Sequence, residues 1–149
     1  MTHTNPDRIC IPARFSALPQ LLAPLAPLAP AAQAVVAPGL TRTLLRAQLA
    51  VEELFANSIH HGYGGESDQP VWLSVALQGD TLQVTYADQA AAFDPFAAIE
   101  PPDDNPATPV DSRKIGGLGR LLIRELAARC GYRREGKRNV IRLEFPVAL

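Results

Sequence analysis

The chain has 149 residues, 47% of them apolar, and its 14 basic and 15 acidic residues leave a formal charge of −1. This length buries one proper core with no room for a second, and the missing basic excess argues against nucleic acid as a direct partner. Cys10 and Cys130 lack any Cys-x-x-Cys or Cys/His ligand spacing, which predicts two reduced, core-packing thiols in a cytoplasmic protein rather than a zinc site.

In chain order, residues 1–7 are expected to form a disordered tail, and Ile9 and Ile11 begin an edge strand. Residues 21–37 are apolar enough to suggest a membrane segment. Pro24, Pro27 and Pro30 interrupt any spanning helix, and no basic cluster precedes the stretch. The reading here is a short helix from about Leu18, a kinked middle and a turn at Pro38-Gly39. A longer helix follows at about 41–62, with Leu44, Ala47, Val51, Leu54 and Phe55 as its apolar stripe. Glu53 and Asn57 lie roughly 40° apart on its less apolar face, with His61 one turn further on. A carboxylate can act as a base, and an amide oxygen is a hard ligand of the kind Mg²⁺ accepts. The side chains of the adjacent His60 and His61 diverge on a helix, which does not suit a shared metal.

Val71, Leu73, Val75 and Leu77 share one strand face, Gln78-Gly79-Asp80 makes a tight turn, and Leu82, Val84 and Tyr86 continue on a return strand that ends in Asp88. Asp94-Pro95 reads as the cap and first residue of a short helix to about Ile99. Residues 100–115 hold four prolines and little apolar content, which predicts a long surface loop. A helix from Gly117 to Cys130 is expected to turn Leu118, Leu121, Leu122 and Leu126 inward and to end at Gly131. Tyr132–Arg134 and Asn139–Phe145 form a final hairpin, with Ile141, Leu143 and Phe145 facing the core. No repeat is visible. This order predicts one domain over 1–149, a two-layer α/β (α+β) sandwich with a mixed, mostly antiparallel sheet and helices on one face.

Three motifs carry a resemblance. Glu53, Asn57 and His61, as E-x-x-x-N-x-x-x-H, resemble the N box of the GHKL ATPase superfamily of gyrase, Hsp90 chaperones, histidine kinases and MutL. Residues 49–63 are most similar to the pattern L-A-V-x-E-A-x-x-N-A-x-x-H-x-Y of bacterial anti-sigma factors that are also serine-protein kinases, the partner-switching regulators. Asp88 with Phe93-Asp94-Pro95 resembles that family's first glycine box, D-x-G-x-x-F-D-P. Residues 116–123, Gly-Gly-Leu-Gly-Arg-Leu-Leu-Ile, resemble the second, where a Gly-rich turn opening a helix offers free N–H groups and a positive dipole end to phosphate. The resemblance covers residues 8–146.

It implies a Bergerat-type ATP-binding fold, with ATP between the helix layer and a lid at 100–115. Asn57 would hold Mg²⁺, and Asp88 would accept from the adenine amino group. His61, Ala90, Phe93, Gly116 and Leu118 would belong to the same pocket, while Gly117 and Gly119 let the backbone close around the phosphates. Arg113 or Lys114 would offset phosphate charge. Glu53 would orient or deprotonate a partner's serine hydroxyl, which attacks the γ-phosphate. It also implies a sigma factor and an anti-sigma-factor antagonist as partners, and a homodimer whose contacts involve the amino-terminal strand and helix with Arg14.

One departure stands out. The family has Gly two residues after the adenine-binding Asp, and here that place is Ala90, followed by Ala91 and Ala92. If the backbone there needs positive φ or very close approach, Ala costs what Gly does not. Two readings therefore stand: an ATP-dependent serine kinase that sequesters a sigma factor, or a binding module with a degenerate nucleotide pocket. A stand-alone histidine-kinase catalytic domain is the third, but the region before residue 40 is too short and Pro-rich to supply phosphoacceptor helices.

Overall fold

The computed structural model describes residues 8–28, 38–97 and 117–147. The expected tail at 1–7, the expected lid at 100–115 and the expected helix end at Ile99 lie outside them; residues 95–97, expected in that helix, form a turn. Five strands form one sheet in the order β1-β2-β3-β5-β4: β1 Arg8–Pro12, β2 Pro70–Gln78, β3 Thr81–Asp88, β4 Arg129–Glu135 and β5 Arg138–Pro146. Helices α1 (Leu18–Leu22), α2 (Pro38–Asn57) and α3 (Gly117–Leu126) pack their apolar residues against one face of it. The result is the expected α+β sandwich. All four strand pairings are antiparallel, so the described sheet has no parallel pair.

The strands follow from period-two alternation. Val71, Leu73 and Val75 on β2, Leu82, Val84 and Tyr86 on β3, and Ile141, Leu143 and Phe145 on β5 are all buried under the helices. Leu77, expected on the same face, is exposed where β2 runs out into the hairpin turn. Gly79 takes φ +61° in that turn, which favours a residue without Cβ.

Helix α2 buries Ala47, Ala50, Val51, Leu54 and Phe55, a three- and four-residue recurrence that presents one face to the sheet. Its start corrects the sequence reading, because Pro38-Gly39 is its first turn and not a loop turn. Proline suits that position because the N–H it lacks would have no helical partner there. Its end also differs. Ser58–Gly62 is a π-helical turn in which the Tyr63 N–H donates to the Ser58 carbonyl at 2.7 Å. The helical 3₁₀ segment Ala23–Leu28 follows α1, and the three-residue spacing of Pro24 and Pro27 matches its period.

Helix α3 is shorter than predicted. It stops at Leu126, because the Ala128 N–H donates to the Glu144 carbonyl at 2.9 Å and the chain enters the sheet at Arg129. Ile123 and Ala127 are buried and Leu126 is half-buried, whereas Leu122 is exposed. The side chains of Leu118 and Leu121 lie outside the description. Cys10, expected in the core, is exposed on the sheet face away from the helices; Cys130 is half-buried. Arg14 does not stand free: its Nε donates to Asp68 at 2.8 Å, and the neighbouring Phe15 N–H donates to Glu66 at 2.8 Å.

Candidate functional site

A cavity of about 550 Å³ opens where the π-turn after α2 overhangs the ends of β3 and β5. Leu54, Asn57, Ser58, His61 and Gly62 line it from the helix side, and Tyr86, Asp88, Asn139 and Ile141 from the sheet. Ala90, Ala91, Ala92, Phe93 and Pro95 close a third side. The volume lies within the range of small-molecule pockets, and a mostly apolar wall with a few convergent polar groups is their usual chemistry.

Asp88 is the buried polar centre. The Ser58 hydroxyl donates to its Oδ2 at 2.7 Å. The Asn139 amide donates to its Oδ1 at 2.8 Å, and the Ala90 N–H reaches the same atom at 3.2 Å. A carboxylate has about four acceptor sites, so these three donors leave one, on Oδ2. Ser58 Oγ also lies 2.6 Å from the Tyr86 hydroxyl, which reaches the Leu54 carbonyl at 3.2 Å. Because Asp88 only accepts, Ser58 gives it the proton and is itself left to accept from Tyr86.

Asn139 sits directly opposite Asp88 in the β3–β5 register. Its amide also donates to the Ala91 carbonyl at 3.0 Å. Its Oδ1 accepts from the Tyr132 hydroxyl at 2.7 Å and from the Phe93 N–H at 3.2 Å. Arg134 donates to the Ala90 carbonyl at 2.8 Å. The segment after Asp88 is thus held at both N–H and carbonyl groups. The Ala90 methyl is buried against Gly62; a Cβ added at Gly62 would stand 2.9 Å from it.

Burial pushes the Tyr86 phenol well above its ordinary range, and burial also pushes Tyr63 up. Unfolded tyrosines ionise near pH 10, so above that the folded chain binds more protons than the unfolded one. Stability is therefore fully present below about pH 10 and lost as pH rises past it. Tyr86→Phe should flatten this loss when urea midpoints are compared from about pH 9 to about pH 11. An unchanged slope would count against a protonated Tyr86 at the core of the network.

The sequence-predicted site residues fall as follows. Asn57, His61, Asp88, Ala90 and Phe93 meet around the cavity. Glu53, half-buried one turn before Asn57, is not among its described lining residues. Gly117, Leu118 and Gly119 make the first turn of α3, where backbone N–H groups have no helical partner. Arg113, Lys114 and Gly116 lie outside the described residues. Sequence reasoning missed Ser58, Gly62, Tyr86 and Asn139 as site residues. Ser58 carried a faint signal, a hydroxyl on the apolar side of the helix. Asn139 carried none, because its partner is set by sheet register.

The family model for a histidine kinase-like ATPase domain matches residues 15–145. A serine-protein kinase RsbW of Listeria monocytogenes serotype 4a is 29% identical over 85 residues, which are 53% of this chain and 51% of that protein. The RsbW of serovar 1/2a is 32% identical over 82 residues, again 53% and 51%. The chain thus spans about half the length of the curated relatives it matches. Among solved structures, the RsbU and RsbW domains of Rv1364c from Mycobacterium tuberculosis superpose with a TM-score of 0.55 at 13% identity, covering 94% of this chain and 32% of that one. The histidine kinase AdeS of Acinetobacter baumannii gives 0.50 at 10% identity, covering 95% and 68%. At these identities the structures speak for the fold alone.

Proposed function

The chain belongs to the histidine kinase-like ATPase family, and from that premise we propose that it binds Mg-ATP over Asp88, phosphorylates a serine of an anti-sigma-factor antagonist and holds a sigma factor. The observation that carries the reading is the Asp88 carboxylate, fixed at the base of an apolar cavity with one acceptor position left. That position suits the exocyclic amine of a flat heteroaromatic ring lying against the apolar wall to which Leu54 and Ile141 contribute.

The residues fit the group. Among the described residues no cluster of three His, Cys, Asp or Glu could hold a metal. Mg²⁺ is commonly bound by one or two protein ligands together with phosphates and water. Asn57, on the cavity wall, would supply such a ligand through its side-chain oxygen, and the bound ion would offset phosphate charge. Glu53 has the reach of one helical turn from Asn57, from which it would take or orient the proton of an incoming serine. Phosphoryl transfer needs mainly positioning and charge stabilisation, which this sparse set supports. Action in the cytoplasm as a homodimer belongs to the same reading. No helix among the described residues is long and apolar enough to cross a membrane.

The second reading, a protein-binding module with a degenerate nucleotide pocket, draws on Ala90 and Ala92 in the glycine box and on Glu53 standing off the described cavity wall. Calorimetry with Mg-ATP and a transfer assay on an antagonist protein separate the two. Glu53→Ala should cut transfer by about 10²- to 10⁴-fold and leave ATP affinity within about twofold, because a base acts in the transition state. Asn57→Ala should instead weaken Mg-ATP binding on the order of tenfold. Binding without transfer in the parent protein would favour the module. No binding in the parent would overturn the kinase and leave the module with a degenerate pocket.

A further inference from the structure

The sheet face away from the helices has its own chemistry. Trp72 lies there, with the Arg138 guanidinium 3.8 Å and the Arg8 guanidinium 5.4 Å from its ring centroid. One cross-strand row runs Cys10, Trp72, Ala87, Val140, Arg133, and the next runs Arg8, Ser74, Thr85, Arg142, Gly131. The middle of both rows is small side chains, a shallow trough with Arg8 on its β1 side and Arg133 and Arg142 on its β4–β5 side. At its β4 end a notch of about 180 Å³ is lined by Gly131, Val140, Arg133 and Arg142. A Cβ at Gly131 would meet nothing within 4 Å.

Strand alternation turns five arginines outward on this face, at positions 8, 129, 133, 138 and 142, against Glu135 and Glu144. Arg133 pairs with Glu135, and Arg129 lies 3.8 Å from Glu144. The formal excess is three positive charges on a chain whose total is −1.

We infer that this face is a docking surface for an acidic segment of a partner protein. A guanidinium laid on an indole keeps its planar N–H fork presented at reduced entropic cost, and that fork matches a carboxylate in two parallel bonds. Tryptophan and arginine are also the side chains that most often dominate protein–protein contacts. The notch between Arg133 and Arg142 accepts a small apolar group beside such a carboxylate. A second copy of this chain is disfavoured, since a two-fold contact would set arginine against arginine. The cavity over Asp88 opens on the other side of the sheet, so this inference stands apart from the nucleotide reading.

Trp72 is the only tryptophan, so its fluorescence reports on this face alone. Poly-L-glutamate added to the full chain at low salt should change the emission saturably, and the midpoint should move to several-fold higher concentration at about 0.15 M salt. Poly-L-lysine should have no effect. Arg138→Glu with Arg142→Glu should weaken the response at least tenfold with an unchanged thermal unfolding midpoint. Arg138→Lys, which keeps the charge and loses the fork, should give an intermediate loss. No saturable response to polyglutamate, or an equal response in the double variant, would overturn the inference. So would tighter binding of single-stranded DNA, or a homodimer in light scattering that the double variant abolishes.

Discussion

Asp88→Asn should abolish measurable Mg-ATP binding, a loss of 100-fold or more, while leaving the fold almost as stable. The reason lies in which hydrogen bonds can reverse. The new carboxamide oxygen can still accept from Asn139 and from the Ala90 N–H, as Oδ1 does now. The new NH₂ would face Ser58, whose hydroxyl can turn to accept it and donate to Tyr86 instead. Tyr86, no longer donating to Ser58, can then give its proton to the Leu54 carbonyl. Every buried group keeps a partner, so the stability change should stay near about 1 kcal/mol. The atom left for a ligand, however, changes from acceptor to donor, and an incoming amine would meet a like group. A hydrogen-bonding site left unmatched in this way discriminates by several powers of ten. Asp88→Ala should differ, because it strands Ser58 and Asn139 and costs on the order of 1–3 kcal/mol for each orphaned group. Calorimetry and denaturant melts on the two variants test the argument. Near-parental ATP affinity in Asp88→Asn would remove Asp88 from the binding role.

The second large effect should come from a residue with no functional group. Gly62→Ala, in a helical turn, would ordinarily be neutral or slightly stabilising, since alanine favours helix by about 1 kcal/mol over glycine. Here the added methyl would stand 2.9 Å from the Ala90 Cβ. Ala90 is not free to yield, being tied through its N–H to Asp88 and through its carbonyl to Arg134. The variant should lose about 1–3 kcal/mol of stability by overpacking, and nucleotide affinity should fall with the shift of Asp88. Ala90→Gly in the same chain should restore both, a coupling that additive effects cannot mimic. Alone, Ala90→Gly should alter affinity little, because the cavity beside the methyl remains open. Additive losses in the double variant would mean that the two positions do not share this space. The pair also bears on the departure from the family pattern: where the glycine box has alanine, the facing turn supplies the glycine.

Much of this was legible along the chain because it is set locally. Alternation at 71–75 and 82–86 fixes which side chains face the core, and a four-residue spacing sets Asn57 one turn after Glu53, whatever the rest of the molecule does. Misreadings occurred where two local patterns are equally good. Residues 127–130 continue a helical pattern acceptably, and only the hydrogen bond from Ala128 to Glu144 draws them into the sheet. Cys10 reads as a small apolar residue, yet its place in the strand alternation turns it outward beside Trp72. The site was decided by contacts that no spacing encodes. Asn139 stands 51 residues beyond Asp88 and meets it only through the β3–β5 register. Ser58 reaches Asp88 across 30 residues, and Gly62 reaches Ala90 because a π-turn swings the end of α2 over the strand. Local periodicity chooses the elements and their faces, since it acts over a few residues. Sheet register and helix docking choose which polar groups share a buried volume, and that requires the whole core to close at once.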